Sequence, residues 1–124
     1  MSQNITTLLT RNLHDVFGEG DDARRRATID EIFAEDAVFY EPHGVYRGRD
    51  EIDRIAATIR ASHPEFRYTA TRPAEALQDH VGRIQWVSGK PGEPPVYAGT
   101  DIAVVRDGKI AEIYLFFDIV DPTH

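Results

Sequence analysis

The chain has 124 residues, 41% hydrophobic and 28% charged, with a formal net charge of −7 and a pI near 5.1. That length suits one domain, residues 1–124, burying roughly two-thirds of the surface its unfolded chain exposes, and the acidic balance argues against a nucleic-acid partner, whose phosphates need clustered Lys and Arg. Without cysteine there is no disulfide framework or thiol nucleophile; no apolar run approaches the roughly 20 residues of a membrane-spanning helix, and no secretory signal is visible, so the cytoplasm is the expected compartment, with no membrane partner.

Ile5, Leu8, Leu9, Leu13, Val16 and Phe17 recur three and four residues apart, the spacing of one helical stripe, and predict a first helix to about Phe17. The stretch GEGDD at 18–22 breaks it, and Asp21 or Asp22 can cap a second helix that buries Ile29, Ile32 and Phe33. Arg24, Arg25 and Arg26 form the chain's basic cluster, read as a solvated face among Asp21, Asp22, Asp30 and Glu31. The period then changes to two: Ala37, Phe39 and Glu41 share one face of a short strand that Pro42 ends. A third helix follows RGRD, with Ile52, Ile55, Ala56 and Ile59 inward, and stops before His63-Pro64.

From Glu65 the chain reads as strands. Phe66, Tyr68 and Ala70 alternate with Arg67, Thr69 and Thr71, and VGRIQWVSG and VYAGTDIAVVRDGKIAEIYLFFDIV follow. RDGK at 106–109 is a hairpin signal, since Asp-Gly supplies the positive φ angles of a type I′ turn. Helices early and an antiparallel meander late make the fold class α+β, with helices covering one face of a curved sheet. A sheet bent over helices leaves a cavity for a small ligand.

Alternation places Glu41 with Ala37 and Phe39, and Asp101 with Gly99, Ala103 and Val105. If those are core faces, both acids point inward and must be paired, solvated or neutral. Burial raises a carboxyl pKa, and a second acid raises one of a pair further, an arrangement suited to proton transfer near neutral pH. The competing reading is structural: a strand-end acid caps a turn or meets an arginine, and Arg47, Arg49 and Arg83 are available. Trp86, Phe39, Phe17, Phe117, Leu115 and Ile113 are expected as apolar walls. Tyr114, Phe116, Ile102 and Val104 fall on the other face, where a second subunit would cover them, so a homodimer through the sheet is expected. His, Asp and Glu show no metal-ligand spacing. No phosphate loop or nucleophile elbow is present, so neither metal nor cofactor is expected.

The order α-α-β-α followed by long strands, with IFAEDAVFYEPHGVYRGRDEI and GTDIAVVRDGKIAEIYLFFD, resembles the NTF2-like superfamily and, within it, the SnoaL-like proteins related to polyketide cyclases and ketosteroid isomerases. The resemblance covers nearly the whole chain. It implies a cone in which three N-terminal helices pack on a strongly curved, mainly antiparallel sheet. It places Glu41 where isomerase-like members carry a general base, and Asp101 where they carry a protonated Asp that bonds the developing enolate oxygen. It also brings in Asp118, near where some members hold a proton-transfer acid, and His43 beside the acid-Pro pair. The tyrosines of the isomerase site would fall near Leu13 and Ala56 and are absent; His14, one position along, is a candidate replacement. The implied function is acid/base chemistry, isomerase or cyclase type, on a small carbonyl compound. A non-catalytic ligand-binding or interaction module, and epoxide hydrolase or dehydratase chemistry, are the alternatives the same fold allows.

Overall fold

The computed structural model describes residues 4–120, the last two by backbone alone. Helix α1 (Ile5–Arg11) begins where the Asn4 side-chain oxygen accepts from the Thr7 N–H at 2.9 Å, satisfying one of the first-turn donors. It continues into a π-helical stretch, Asn12–Phe17, closed by the Gly18 N–H on the Leu13 carbonyl at 3.0 Å. Helix α2 (Asp22–Ile32) is capped as expected: the Asp21 carboxylate accepts from the Ala23 and Arg24 N–H groups at 2.9 and 3.0 Å. Helix α3 (Gly48–Ser62) ends just before His63-Pro64.

The solvated face expected for Arg24–Arg26 needs a correction at its centre. Arg26 does pair with Asp30 across one turn at 2.9 Å, but Arg25 is only 3% exposed. The packing of α2 against α3 is the cause: Arg25 Nε donates to Asp53 of α3 at 2.8 Å, and its other nitrogens reach Asp22 and the Glu19 carbonyl.

The strands are β1 (Phe33–Glu41), β2 (Gly44–Arg47), β3 (Arg67–Ala70), β4 (Glu75–Leu77), β5 (Val81–Gly89), β6 (Tyr97–Arg106) and β7 (Lys109–Val120). They form one sheet in the order β2-β1-β7-β6-β5-β3, with β4 also paired to β5. Every pairing is antiparallel except β1 with β7. Strand β1 starts at Phe33 rather than Ala37, and the short β2 and β4 escape the period-two pattern. The β6–β7 turn has φ of 54° at Asp107 and 76° at Gly108, as a type I′ turn requires.

All three helices lie on one face of the sheet. Leu8, Leu9, Leu13, Val16, Ile29 and Ile52 bury there against Phe33, Ile84, Ala103, Ile110 and Ile113. Register shifts between β6 and β7, at Ala98/Gly99 and Val104/Val105, interrupt the ladder, and such bulges bend a sheet. At one end of the inner face Ala103 and Val105 belong to the closed core. At the other, Trp86, Asp101 and Leu115 border open space. On the outer face Tyr40 stacks on Tyr114 with ring centroids 4.7 Å apart, and Phe116 is 58% exposed. Among the described residues no helix is long and apolar enough to cross a membrane.

Candidate functional site

A cavity of about 340 Å³ opens between the π-helical end of the first helix, the C-terminus of α3 and the inner face of the sheet. That is near the lower end of the ~300–1,000 Å³ range of small-molecule sites. Asn12, Trp86, Ser88 and Asp101, all buried, make its floor; Glu41, His43, His63, Tyr97 and Phe117 stand nearer solvent at its rim.

Asp101 sits in the middle of β6, facing Ile84 of β5 and Leu115 of β7 across the ladder. It is 6% exposed, and no cation pairs with it among the described residues. Of the arginines that might have done so, Arg49 donates to the Phe33 carbonyl and Arg83 pairs with Glu75. Burial therefore pushes the Asp101 carboxyl up to about 7. The Trp86 indole N–H pulls in the opposite direction, yet it completes no hydrogen bond of ordinary geometry. Burial and then the nearby Asp101 charge raise the Tyr68 hydroxyl to about 12. Room for the Trp86 ring comes from its cross-strand partner, Gly99: a Cβ there would lie 2.5 Å from the indole Cζ2.

Glu41 ends β1, half-buried. One of its oxygens, Oε1, accepts from the His43 N–H at 2.9 Å and from the Tyr46 hydroxyl at 3.1 Å, while the Tyr46 ring stacks on Phe39. The carboxylate thus closes the β1–β2 turn and also borders the cavity.

The cavity brings together Glu41, Asp101, His43, Phe17, Phe39, Trp86, Leu115 and Phe117 from the sequence reading. Two residues fall outside it. Alternation along β7 turns Phe117 inward and Asp118 outward, where Asp118 is exposed and accepts from the Thr100 hydroxyl at 2.7 Å. His14 is exposed and lines a separate polar depression with Gly18, Glu19 and Arg60, because Asn12 and Leu13 hold the buried side of the helix at that turn.

Asn12, Ser88, Tyr97, His63 and Tyr68 also line the cavity and were not singled out from sequence. A signal existed for four. Asn12 lies on the stripe 5, 8, 9, 12, 13, 16, 17, the one polar residue in it; Tyr68 alternates with Phe66 and Ala70; Tyr97 alternates with Gly99 and Asp101; Ser88 alternates with Trp86. His63, stacked on Phe66 with centroids 4.3 Å apart and 3.4 Å from the Tyr97 hydroxyl, had no such signal. Among the described residues no three His, Asp or Glu side chains are grouped to hold a metal ion.

The helical cover, the bent sheet and the acid-bearing cavity define the NTF2-like class of fold. Within it, the sequence model of the SnoaL-like domain matches residues 10–113, and the chain belongs to that family. Its fold is similar to that of a candidate isomerase of the SnoaL-like family from Agrobacterium tumefaciens, with a TM-score of 0.84, 23% identity, and coverage of 91% of this chain and 96% of that one. A candidate polyketide cyclase from Sinorhizobium meliloti follows, with a TM-score of 0.68, 18% identity, and 89% and 94% coverage. An NTF2-like protein of unknown function from Cytophaga hutchinsonii has a TM-score of 0.66, 14% identity, and 94% and 93% coverage. At these identities the likeness establishes the fold alone. No curated protein matches the chain.

Proposed function

We propose that the protein catalyses cofactor-free proton transfer, of isomerase or cyclase type, on a small and mainly apolar carbonyl compound. The observation that carries this reading is Asp101: a buried carboxyl without a cationic partner, titrating near neutrality at the floor of a cavity. Such a group is available as a neutral hydrogen-bond donor at pH values where an ordinary Asp is ionised. Glu41 takes the proton from the carbon beside the substrate carbonyl. The C–H electron pair moves into the enolate, whose oxygen accepts the hydrogen bond of protonated Asp101. Isomerisation ends when Glu41 returns the proton to another carbon; ring closure ends when the enolate carbon attacks a second carbonyl and that oxygen takes up the proton. His43 stands at the rim as a second proton carrier. The candidate isomerase and cyclase among the structural neighbours support the same reading.

The test is deuterium exchange at the α-carbons of an enolisable bicyclic ketone, 2-tetralone, followed by NMR. Exchange well above the buffer rate is expected, falling about 100-fold in Asp101→Leu, which removes the oxyanion donor, and also falling in Glu41→Gln. Exchange no faster than in buffer overturns the proposal. A second reading, a ligand-binding module without turnover, is favoured by one observation: both hydrogen bonds to Glu41 fall on a single oxygen and serve the turn. It expects 2-tetralone to bind without exchange, and Glu41→Gln to change only its dissociation.

On either reading a second copy of the chain covers the outer sheet face. The exposed Phe116 beside Ile102, Val104 and Tyr114 supports this. Sedimentation of the chain and of Phe116→Lys tests it, and a monomer at micromolar concentration overturns it.

A further inference from the structure

Among the described residues, three buried side-chain polar atoms have no hydrogen-bond partner: Asn12 Nδ2, Asn12 Oδ1 and Trp86 Nε1. Both residues line one cavity, which they share with Asp101, the carboxyl whose charged form the indole N–H favours. Buried polar groups are nearly always paired, and leaving one unpaired is unfavourable by more than an ordinary hydrogen bond gains. Orphans scattered through a core would signal loose packing. Orphans gathered at one cavity mark a place where something else completes the bonding.

Their chemistry describes that occupant. Asn12 is 0% exposed and presents one donor and one acceptor side by side in a planar carboxamide. It stands where the α-helix gives way to the π-helical stretch, a kind of irregularity that recurs at functional sites. Trp86 adds a donor only, and its ring is fixed by contact with Tyr68 and by the space over Gly99. Phe17, Phe39 and Leu115 surround these groups with apolar surface.

We propose that the cavity floor is a recognition subsite in which Asn12 and Trp86 select a flat, apolar ligand carrying a neutral acceptor–donor edge of the lactam or carboxamide class. The lactam carbonyl, distinct from the carbonyl that Asp101 polarises, accepts from Asn12 Nδ2 and Trp86 Nε1 while the lactam N–H donates to Asn12 Oδ1. This deepens the proton-transfer reading by naming what holds the substrate, and rests on that reading for the cavity being a substrate site. Asn12 orients the ligand, and Asp101 and Glu41 act on it.

The test compares two bicyclic molecules of the same shape. 2-Quinolone carries C=O beside N–H; coumarin carries C=O beside a ring oxygen and lacks the donor. Binding is read by NMR at the side-chain NH₂ pair of Asn12 and at the indole N–H of Trp86, the only tryptophan of the chain. The expected result is that 2-quinolone shifts and saturates both signals, that coumarin binds about tenfold more weakly, and that Asn12→Leu removes the preference. The Asn12→Leu chain is also expected to melt at a higher temperature than the parent, as a purely structural asparagine would not allow. Equal binding of the two molecules to the parent chain, or binding that leaves the indole signal unmoved, overturns the inference. The parent comparison needs no variant, so a misfolded Asn12→Leu does not rescue it. Absence of a 2-quinolone preference alongside Asp101-dependent exchange of 2-tetralone sinks this inference and leaves the acid–base reading intact. The preference without exchange does the reverse.

Discussion

Arg25 and Asn12 are both buried polar side chains in the helical layer, and they are treated in opposite ways. Arg25, between α2 and α3, has Asp53, Asp22 and the Glu19 carbonyl around its guanidinium. Asn12, one helix away, has no partner on either amide atom. A satisfied buried charge fixes how two helices dock; the unsatisfied amide lies instead beside a cavity. The acids divide the same way. Asp118 is exposed and bonded to Thr100, whereas Asp101 is enclosed, with no cationic partner among the described residues, and burial pushes its carboxyl up to about 7.

The sharpest way to break this comparison is pH. The Asp101 carboxyl holds its proton more tightly in the folded chain than in the unfolded one. Between about pH 4 and 7 the folded state therefore carries the extra proton, and raising the pH through that window removes stability. The loss is at most about 4 kcal/mol by pH 8. Chemical denaturation at pH 4.5 and 8 is expected to show the stability of Asp101→Asn rising relative to the parent by an amount of that order; a constant difference contradicts the buried-acid assignment. Next in size, Arg25→Ala is expected to destabilise by about 2–3 kcal/mol, below the ~3–5 kcal/mol of a fully buried broken pair because Asp53 and Asp22 retain contact with solvent. Asn12→Leu should act in the other direction, stabilising by about 1 kcal/mol and raising Tm by roughly 3–5 °C, since leucine leaves no buried polar atom unpaired at that position. Asp118→Asn should change stability by less than about 0.5 kcal/mol and leave α-proton exchange as in the parent.

Much of the frame was legible because it rests on local rules. The three-four spacing from Ile5 to Phe17, the Asp21 cap, the stop before His63-Pro64 and the Asp107-Gly108 turn each depend on neighbours within a few residues, and all are found. Alternation likewise put Asp101 on the inner face with Ala103 and Val105. Local rules failed where pairing is long-range. Strand β1 extends back to Phe33 through the exposed Glu35 and Asp36, which reads as a polar turn until β7 is seen alongside in parallel. The strand β2 is four residues long and owes its place to β1. His63 becomes a cavity residue only because α3 ends beneath Tyr97.

By itself the sequence determined the helical layer, the meander, the hairpin and the inward direction of Glu41 and Asp101, since helix and strand periods act on residues close along the chain. The tertiary structure alone decided that no cation among the described residues pairs with Asp101, that Asp118 and His14 leave the site, and that Asn12 and Trp86 are brought to one cavity. Those outcomes depend on which surfaces meet and which stay apart. A bent sheet closes at Ala103 and Val105 and stays open at Trp86 and Leu115, and that difference in enclosure, invisible to any spacing rule, sets Asp101 at the edge of a cavity.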